Sequence, residues 1–405
     1  MLLRLAWRNL WRNRRRSLLT VSSIAVGLAA VMFGQSLIRS FQRQMIEKST
    51  GVMLGHVQVQ AAGVQNRRIP EKLLSNPERF REILAADPRV AAVGSRLLYT
   101  GLVYSAVGSR GVLVVGVEPD AERDISILPG YLTDGRYLGE SKRDIFLGDK
   151  LAGDLDVRLG ERLVVMAQSG DGEMNSELFR VAGVYHTGST AYDGQIVYVP
   201  IEAARGIRGL SGEASHVVAR LDDVRKAGRL SADLRAKLDD PSVVALTYRD
   251  VGSEVVGIKK FQDGLLVVIL IVIFAIVGLG ILNSISMSFF ERIREFGVLR
   301  AIGARPALVR RVLLAEAALM GLIGTCLGFA AGLGLIWAFG TWGLELPVGK
   351  AMSYFIPFED VIYMRPVWGM HLWSALGVFC VCLAASVGPA ARGSRLVVTA
   401  ALRHV

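Results

Sequence analysis

Residues equipped for chemistry are sparse in this sequence, and they do not converge. The five histidines, His56, His186, His216, His371 and His404, are scattered without metal-ligand spacing. They are expected at the surface or as local caps. Cys326, Cys380 and Cys382 all lie in apolar runs, and their small odd number excludes a disulfide framework. No G-x-x-x-x-G-K-[ST], G-x-S-x-G, H-E-x-x-H or C-x-x-C occurs. Neither ATP binding through a P-loop nor the common hydrolytic and zinc chemistries are therefore encoded. Ion-coupled transporters usually keep ionisable residues inside the bilayer, whereas here the long apolar runs hold essentially none, Glu316 standing at an edge. Catalytic residues and metal ligands are both expected to be none, the chain is not expected to be an enzyme, and energy for any work must come from outside it.

Three patterns stand out instead. Gly324, Gly328 and Gly332 form G-x-x-x-G-x-x-x-G on one face of an apolar run, with Gly321 and Gly334 close by. Such a face lets another helix approach backbone to backbone, and packing on a neighbouring helix of the same chain is favoured over a subunit interface. The segment Glu291 to Pro306 predicts a short helix carrying Phe296, Leu299 and Ile302 near one another amid charges, ended by Gly303 to Pro306. A solvated loop would not need that stripe; lying in the lipid interface and docking into a partner explain it equally. The third pattern is the end of the chain, Pro389 to Arg403, basic and amphipathic, which fits a membrane-edge segment.

The elements that must hold these patterns are legible in charge and hydropathy. Of the 405 residues 52% are hydrophobic and only 20% charged, which excludes a disordered chain and points to a membrane protein. The net charge of +11 would raise nucleic acid as a partner, but residues 41–262 are balanced at 29 basic and 29 acidic. The remainder carries 18 basic against 7 acidic residues, and that excess flanks apolar runs. Four stretches, Ser17 to Ile38, Gly264 to Phe290, Ala317 to Leu344 and Pro366 to Ala391, lack any charge for 22, 27, 28 and 26 residues. About 20 helical residues cross a bilayer core, so the fold class is a membrane protein with four transmembrane α-helices, spaced 1 + 3, and an α+β domain inserted between the first and second. The expected boundaries are an interfacial helix over 1–16, spans at 17–40, 263–290, 308–344 and 366–391, the inserted domain at 41–262, a connecting helix at 291–306, a short loop at 345–365 and a tail at 392–405. Arginine-rich flanks put both termini and the 291–306 connection in the cytoplasm and the large domain outside. A cleaved signal peptide is disfavoured because the first apolar run is too long for one. Upstream of it Leu3, Trp7, Leu10 and Trp11 share one helical face and Arg4, Arg8, Arg12 and Arg15 the other, a pattern suited to a lipid headgroup layer.

Within 41–262, strands are expected at His56 to Gln60, Gly111 to Glu118, Arg162 to Ala167, Leu178 to Val184, Gln195 to Val199 and His216 to Leu221. Helices are expected at Pro77 to Ala86, capped by Asn76, and at Asp222 to Leu238; Gln168 to Glu177 should form a hairpin tip. Phe41 to Ser49 and Gly252 to Asp263 continue the flanking spans as helical stalks.

One span, a large outer domain and three spans, with E-R-x-R-E-F-G-V-L-R-A-I-G-A after the second, resembles permease subunits of the mechanotransmission (MacB/FtsX-type) ABC transporters. That group includes the macrolide exporter, the cell-division permease and the lipoprotein-releasing permeases. Arg8-Asn9-Leu10, Arg14 to Leu19 and the closing P-A-A-R-x-x-R-L-x-x-x-x-A-L-R are similar to the same group. Gly55 to Val59, Ile145 to Gly148 with Leu151-Ala152, and Phe179 to Gly188 with Tyr192-Asp193 and Val197 to Pro200 resemble the lipoprotein-releasing, LolC/LolE-like branch. The resemblance implies a permease subunit, working by mechanotransmission in the bacterial inner membrane, that extracts lipoproteins or similar lipidated substrates from the outer leaflet. A MacB-like efflux permease and an FtsX-like, non-transporting relay to a periplasmic hydrolase are the alternatives. It further implies a second permease in a homo- or heterodimer, membrane lipids, a lipoprotein substrate, a periplasmic carrier and a cytoplasmic ATPase dimer that binds the ATP and Mg, with no cofactor in this chain. Glu295, Phe296, Gly297, Leu299, Arg300, Ile302 and Gly303 would then form the helix that couples to the ATPase. The gap for substrate entry would lie between the first span of one permease and the second span of the other. Phe33, Leu37 and Phe41 on the one, and Phe261, Leu265 and Ile269 on the other, recur every four residues and would line it. One departure is visible: the carrier-docking member bears a proline-containing hook, and the Gln168 to Glu177 tip has no proline.

Overall fold

The structure is a computed structural model that describes residues 2–64, 67–238, 240–345 and 361–394. Most of the 345–365 loop, and the tail from Arg395 with His404, lie outside the described residues. The chain divides into two compact units, one of residues up to 42, 259–345 and from 361, the other centred on 43–258.

The chain opens with helix α1 (Leu2–Arg12) and the long α2 (Arg14–Ser49), which ends in a π-helical turn at Thr50–Leu54. The inserted domain follows as β1 (Val57–Ala61), α3 (Pro77–Ala85), β2 (Val90–Tyr104), β3 (Ser109–Val117), α4 (Pro119–Ile125), β4 (Leu132–Gly135), β5 (Asp144–Gly148) and α5 (Asp149–Asp154). It continues through β6 (Arg162–Gln168), β7 (Met174–Tyr185), α6 (Thr190–Gln195), β8 (Ile196–Pro200), α7 (Ile201–Arg208), β9 (His216–Leu221), α8 (Ala227–Leu238), β10 (Val243–Thr247) and α9 (Tyr248–Val251). Ten strands form one mixed sheet in the order β10-β1-β9-β2-β3-β8-β5-β7-β4, with β6 bridging β2 and β7. Most pairs are antiparallel; β3 with β8 and β5 with β7 run parallel. On one sheet face Val57, Val59, Val217 and Ala219 pack under α3 and α8. Strand alternation then sends Gln58, Gln60 and His216 to the opposite face, where they are buried too. Arg96 joins them, salt-bridged at 2.6 Å to Glu122, and also donates to the carbonyl of Met53 in the π-turn.

The remaining helices are α10 (Ser253–Glu291), α11 (Ile293–Ala301), α12 (Pro306–Trp342) and α13 (Trp368–Ser394), with a two-residue ladder of β11 (Leu344–Glu345) and β12 (Val361–Ile362) between the last two. Four helices are long and apolar enough to cross a membrane: Arg14–Leu54, Val256–Glu291, Pro306–Trp342 and Trp368–Ser394. The fold class is therefore a four-helix membrane protein with a sheet-rich domain between the first helix and the rest.

Strands β2, β4, β5 and β10 are additional to those expected from the sequence, and two expected elements differ locally. The segment Asp222 to Leu238 is not one helix: a 3-10 turn at Val224–Lys226 precedes α8, because Asp223 caps that turn by accepting from the Arg225 backbone N–H. The 168–177 tip is tighter than expected, since Met174 to Glu177 continue β7 in register with β6.

Candidate functional site

The corner joining α10, α11 and α12 concentrates the polar chemistry of the helical unit. The α10 helix stops at Glu291, Arg292 leaves helical geometry as the N-cap of α11, and Gly303 at φ +96° turns the chain toward Pro306 at the start of α12. That left-handed angle suits glycine and would strain a side chain. Phe296 is buried, its ring stacked on Phe289 with centroids 6.2 Å apart and the Arg292 guanidinium 4.9 Å above it. Gly297 is buried beside it, whereas Val298, Leu299 and Ile302 are exposed, Ile302 by 76%. The expected stripe is thus split: Phe296 anchors α11 to the bundle, and the outward apolar surface is Val298, Leu299 and Ile302. Glu295 sits on the exposed side and accepts from Arg12 at 2.7 Å and Arg292 at 3.1 Å. Partial burial pushes its carboxyl up, but these two guanidinium hydrogen bonds outweigh that and hold it below the usual carboxylate range. Arg300 is half-buried, its Nε without a partner among the described residues, and Gly303 is exposed.

Behind this corner stands the one carboxylate of α12, Glu316, 3% exposed. It accepts from Asn9 Nδ2 at 2.6 Å, Arg292 Nη1 at 2.7 Å and Ser288 Oγ at 3.3 Å. Arg16 and Asn13 both bind Glu291, at 2.9 and 2.7 Å. Five elements, α1, the start of α2, the end of α10, the cap of α11 and α12, are tied by this polar network. Sequence reasoning missed it. Its only signals were a lone carboxylate at the mouth of a charge-free run and an asparagine amid arginines.

The glycine face of α12 lies against α2: a Cβ at Gly324 would stand 2.7 Å from Ile24, at Gly328 2.6 Å from the Ala25 carbonyl oxygen, and at Gly332 2.9 Å from Met32. The two apolar stripes differ. Phe33 packs edge-on to Phe339 of α12 at 5.5 Å, Leu37 is covered by the same core and Phe41 is half-buried. Phe261, Leu265 and Ile269 on α10 are exposed, by 74%, 45% and 39%. A salt bridge at 3.0 Å from Arg39 to Asp263, with Gln42 donating to the same carboxylate, links the two helices beside the stripes.

The histidines do not gather into a site. His371 is buried among Gln35, Ser36 and Ser374 and accepts the Val367 backbone N–H, so it caps α13. His56 accepts from the Leu221 N–H, and burial lowers its pKa. Asp149, His186 and Asp193 come together, but His186 pairs with Asp149 at 2.8 Å and Asp193 accepts from the Thr187 hydroxyl and backbone, closing the group on itself.

Residues 17–237 match the family profile of the MacB-like periplasmic core domain, and 267–398 that of the FtsX-like permease C-terminal region. Among curated proteins, the lipoprotein-releasing system transmembrane protein LolC of Xylella fastidiosa is 25% identical over 96% of this chain and 94% of its own length. The lipoprotein-releasing system transmembrane protein LolE of Haemophilus influenzae is 22% identical over 92% and 90%. The macrolide export ATP-binding/permease protein MacB of Agrobacterium fabrum is 24% identical over 82% of this chain but 52% of its own length.

Proposed function

The chain belongs to the family that joins a MacB-like periplasmic core domain to an FtsX-like permease C-terminal region, and we propose that it is a permease subunit of an ATP-driven ABC transporter. Its substrates are lipoproteins, or similar lipidated molecules, lifted from the outer leaflet of the bacterial inner membrane. The observation that carries this reading is the extent of the likeness to LolC and LolE, over 96% and 92% of this chain, spanning the helices and the inserted domain together. The arginine-rich flanks support an orientation with both termini and α11 in the cytoplasm and the sheet domain in the periplasm. ATP and Mg bind to a separate ATPase dimer, on which Val298, Leu299 and Ile302 dock. Because Glu316, Arg292 and Glu295 tie α11 to α1, α10 and α12, a push on α11 moves several helices as one body rather than bending a loop. A second permease completes the assembly.

Purification in native lipids, with identification of the copurifying subunits and acylated proteins, tests this. A lone ATPase, a permease and acylated proteins are expected. An adaptor with an outer-membrane channel would replace the reading by export, and a periplasmic hydrolase without acylated cargo would replace it by a signalling relay.

A further inference from the structure

The groove between α1 and α12 has no role in the cluster around Glu316, and its lining is unusual for a helix junction. It is an open groove of about 480 Å³ between Arg4, Trp7 and Arg8 of α1 and Leu319 of α12, and its wall is almost wholly carbon. The indole of Trp7, Leu319 and the alkyl stems of the two arginines form that wall, so Trp7 stands with Arg4 and Arg8 and not, as the sequence pattern predicts, on a face shared with the buried Leu10, and the charged heads are left outside it. Neither Arg4 nor Arg8 has an acidic partner among the described residues, and α1 contains no acidic residue. Arg12, Arg16 and Arg292, by contrast, are answered by Glu295, Glu291 and Glu316, and Arg14 stands over the Trp11 ring. Trp7 and Trp11, both 48% exposed, stand edge to face beside the groove with centroids 5.9 Å apart.

Depth fixes the setting. Leu319 lies three positions into the charge-free run that starts at Ala317, so the groove opens where hydrocarbon gives way to headgroups. A ligand there meets apolar carbon on one side and two unpaired guanidinium groups on the other. A free phosphate would leave the carbon wall uncovered, a fatty chain alone would leave the charges unanswered, and a zwitterionic headgroup would bring its own cation against them. We infer that this groove is a binding site for one anionic diacyl phospholipid, its phosphate held by Arg4 and Arg8 and an acyl chain laid along Trp7 and Leu319.

The opposite face of α1 explains why such a site would matter. Ala6 and Leu10 are buried against the bundle, Asn9 reaches Glu316 and Arg12 reaches Glu295. The lipid therefore clamps from outside the helix that holds α11 from inside. The inference rests on the membrane spans and not on the transported cargo.

The full chain in nanodiscs of phosphatidylcholine provides the test, with a fixed minor fraction of brominated-chain phosphatidylglycerol or brominated-chain phosphatidylcholine. The quenching assigned to Trp7 is the difference between wild type and Trp7→Phe. Brominated phosphatidylglycerol is expected to quench Trp7 in excess of brominated phosphatidylcholine, with local enrichment of about fivefold per arginine. In the Arg4→Gln, Arg8→Gln double variant the two lipids should quench alike, at the level phosphatidylcholine gives in wild type, which also reports that α1 is still seated. Equal quenching by both lipids in wild type, or an excess that survives the double substitution, overturns the site.

Discussion

At the scale of single residues, a buried carboxylate must have its charge answered, and Glu316 has three donors from three elements. Removing one member of a buried charged pair costs more than the pair itself contributes, because the other is left unanswered. Glu316→Ala leaves Arg292, whose side chain is 12% exposed, with only the exposed Glu295 as a carboxylate partner, and is expected to destabilise the full chain by about 3 kcal/mol. Glu316→Gln keeps one acceptor oxygen for Asn9 and Arg292 and sets a donor amide against the Ser288 hydroxyl, which can accept, so it should cost about 1 kcal/mol. Thermal unfolding in detergent separates these values; an unchanged midpoint for the alanine variant would refute the role given to the cluster. His216 poses the opposite case, a titratable group with no hydrogen-bond partner at either ring nitrogen among the described residues. Burial, with Arg96 adding to it, pushes its pKa down to about 3, below the ordinary 6.5. Since the folded state holds the lower value, the unfolded chain binds the proton first. Stability is full above pH 6.5 and is lost as pH falls from there toward 3, by up to about 1.4 kcal/mol per pH unit. His216→Phe, which keeps a ring in the same place, should flatten that part of the slope; an unaltered pH profile of unfolding would count against it.

At the scale of elements, anchoring of α11 in the bundle and its proposed docking on an ATPase can be tested separately. Phe296→Ala removes a ring stacked on Phe289 inside the bundle and is expected to destabilise the fold by about 3 kcal/mol. Leu299→Ser with Ile302→Ser alters only exposed positions, so the unfolding midpoint should hold while stimulation of the partner ATPase falls about tenfold or more, as loss of an interface anchor of 2 kcal/mol or so implies. Substrate-stimulated ATP hydrolysis at the wild-type rate in that double variant would leave α11 a lipid-lying helix. The contact between α12 and α2 gives a sharper steric contrast. A side chain at Gly328 meets the Ala25 backbone at 2.6 Å, whereas Gly334 has nothing within 4 Å. Gly328→Val should therefore disrupt the bundle and Gly334→Ala should not. Much at this scale was legible beforehand: the spans from their missing charges, β9 from its Val-rich run, α3 from Asn76 and Pro77. β2 escaped because Gly94, Ser95 and Arg96 interrupt its apolar run. Buried Arg96 is tolerated because Glu122 pairs with it, and the Ser95 backbone N–H donates to Glu118, partners separated by more than 20 residues and invisible to periodicity. The Glu316 cluster was illegible for the same reason: Asn9 and Glu316 are 307 residues apart.

At the scale of the whole molecule, the charge excess of +11 resides outside the balanced inserted domain, which suits a chain fixed in one orientation rather than one that seeks polyanions. The four long helices are unequally covered. Only 17% of the most apolar window of Val256–Glu291 is buried within the chain, against 39%, 33% and 28% for the others, so α10 offers most of its surface to lipid, a second permease or cargo. Lipid suffices for Leu265 and Ile269, which lie within the charge-free run. It does not suffice for Phe261, 74% exposed beside Lys259, Lys260 and Asp263, because an aromatic ring among charges at the end of a span needs a cover other than acyl chains. The α2 stripe differs, since Phe33 and Leu37 already pack within their own bundle. If substrate enters sideways between subunits, the two stripes must respond differently. A photo-crosslinker at 261 or 265 is expected to capture acylated protein before ATP is added and to release it afterwards. One at 33 should instead join α2 to α12 of the same chain, with or without ATP. Crosslinks from 261 and 265 to a partner permease alone, unchanged by ATP, would make the exposed face of α10 a fixed subunit contact and move substrate entry to another surface.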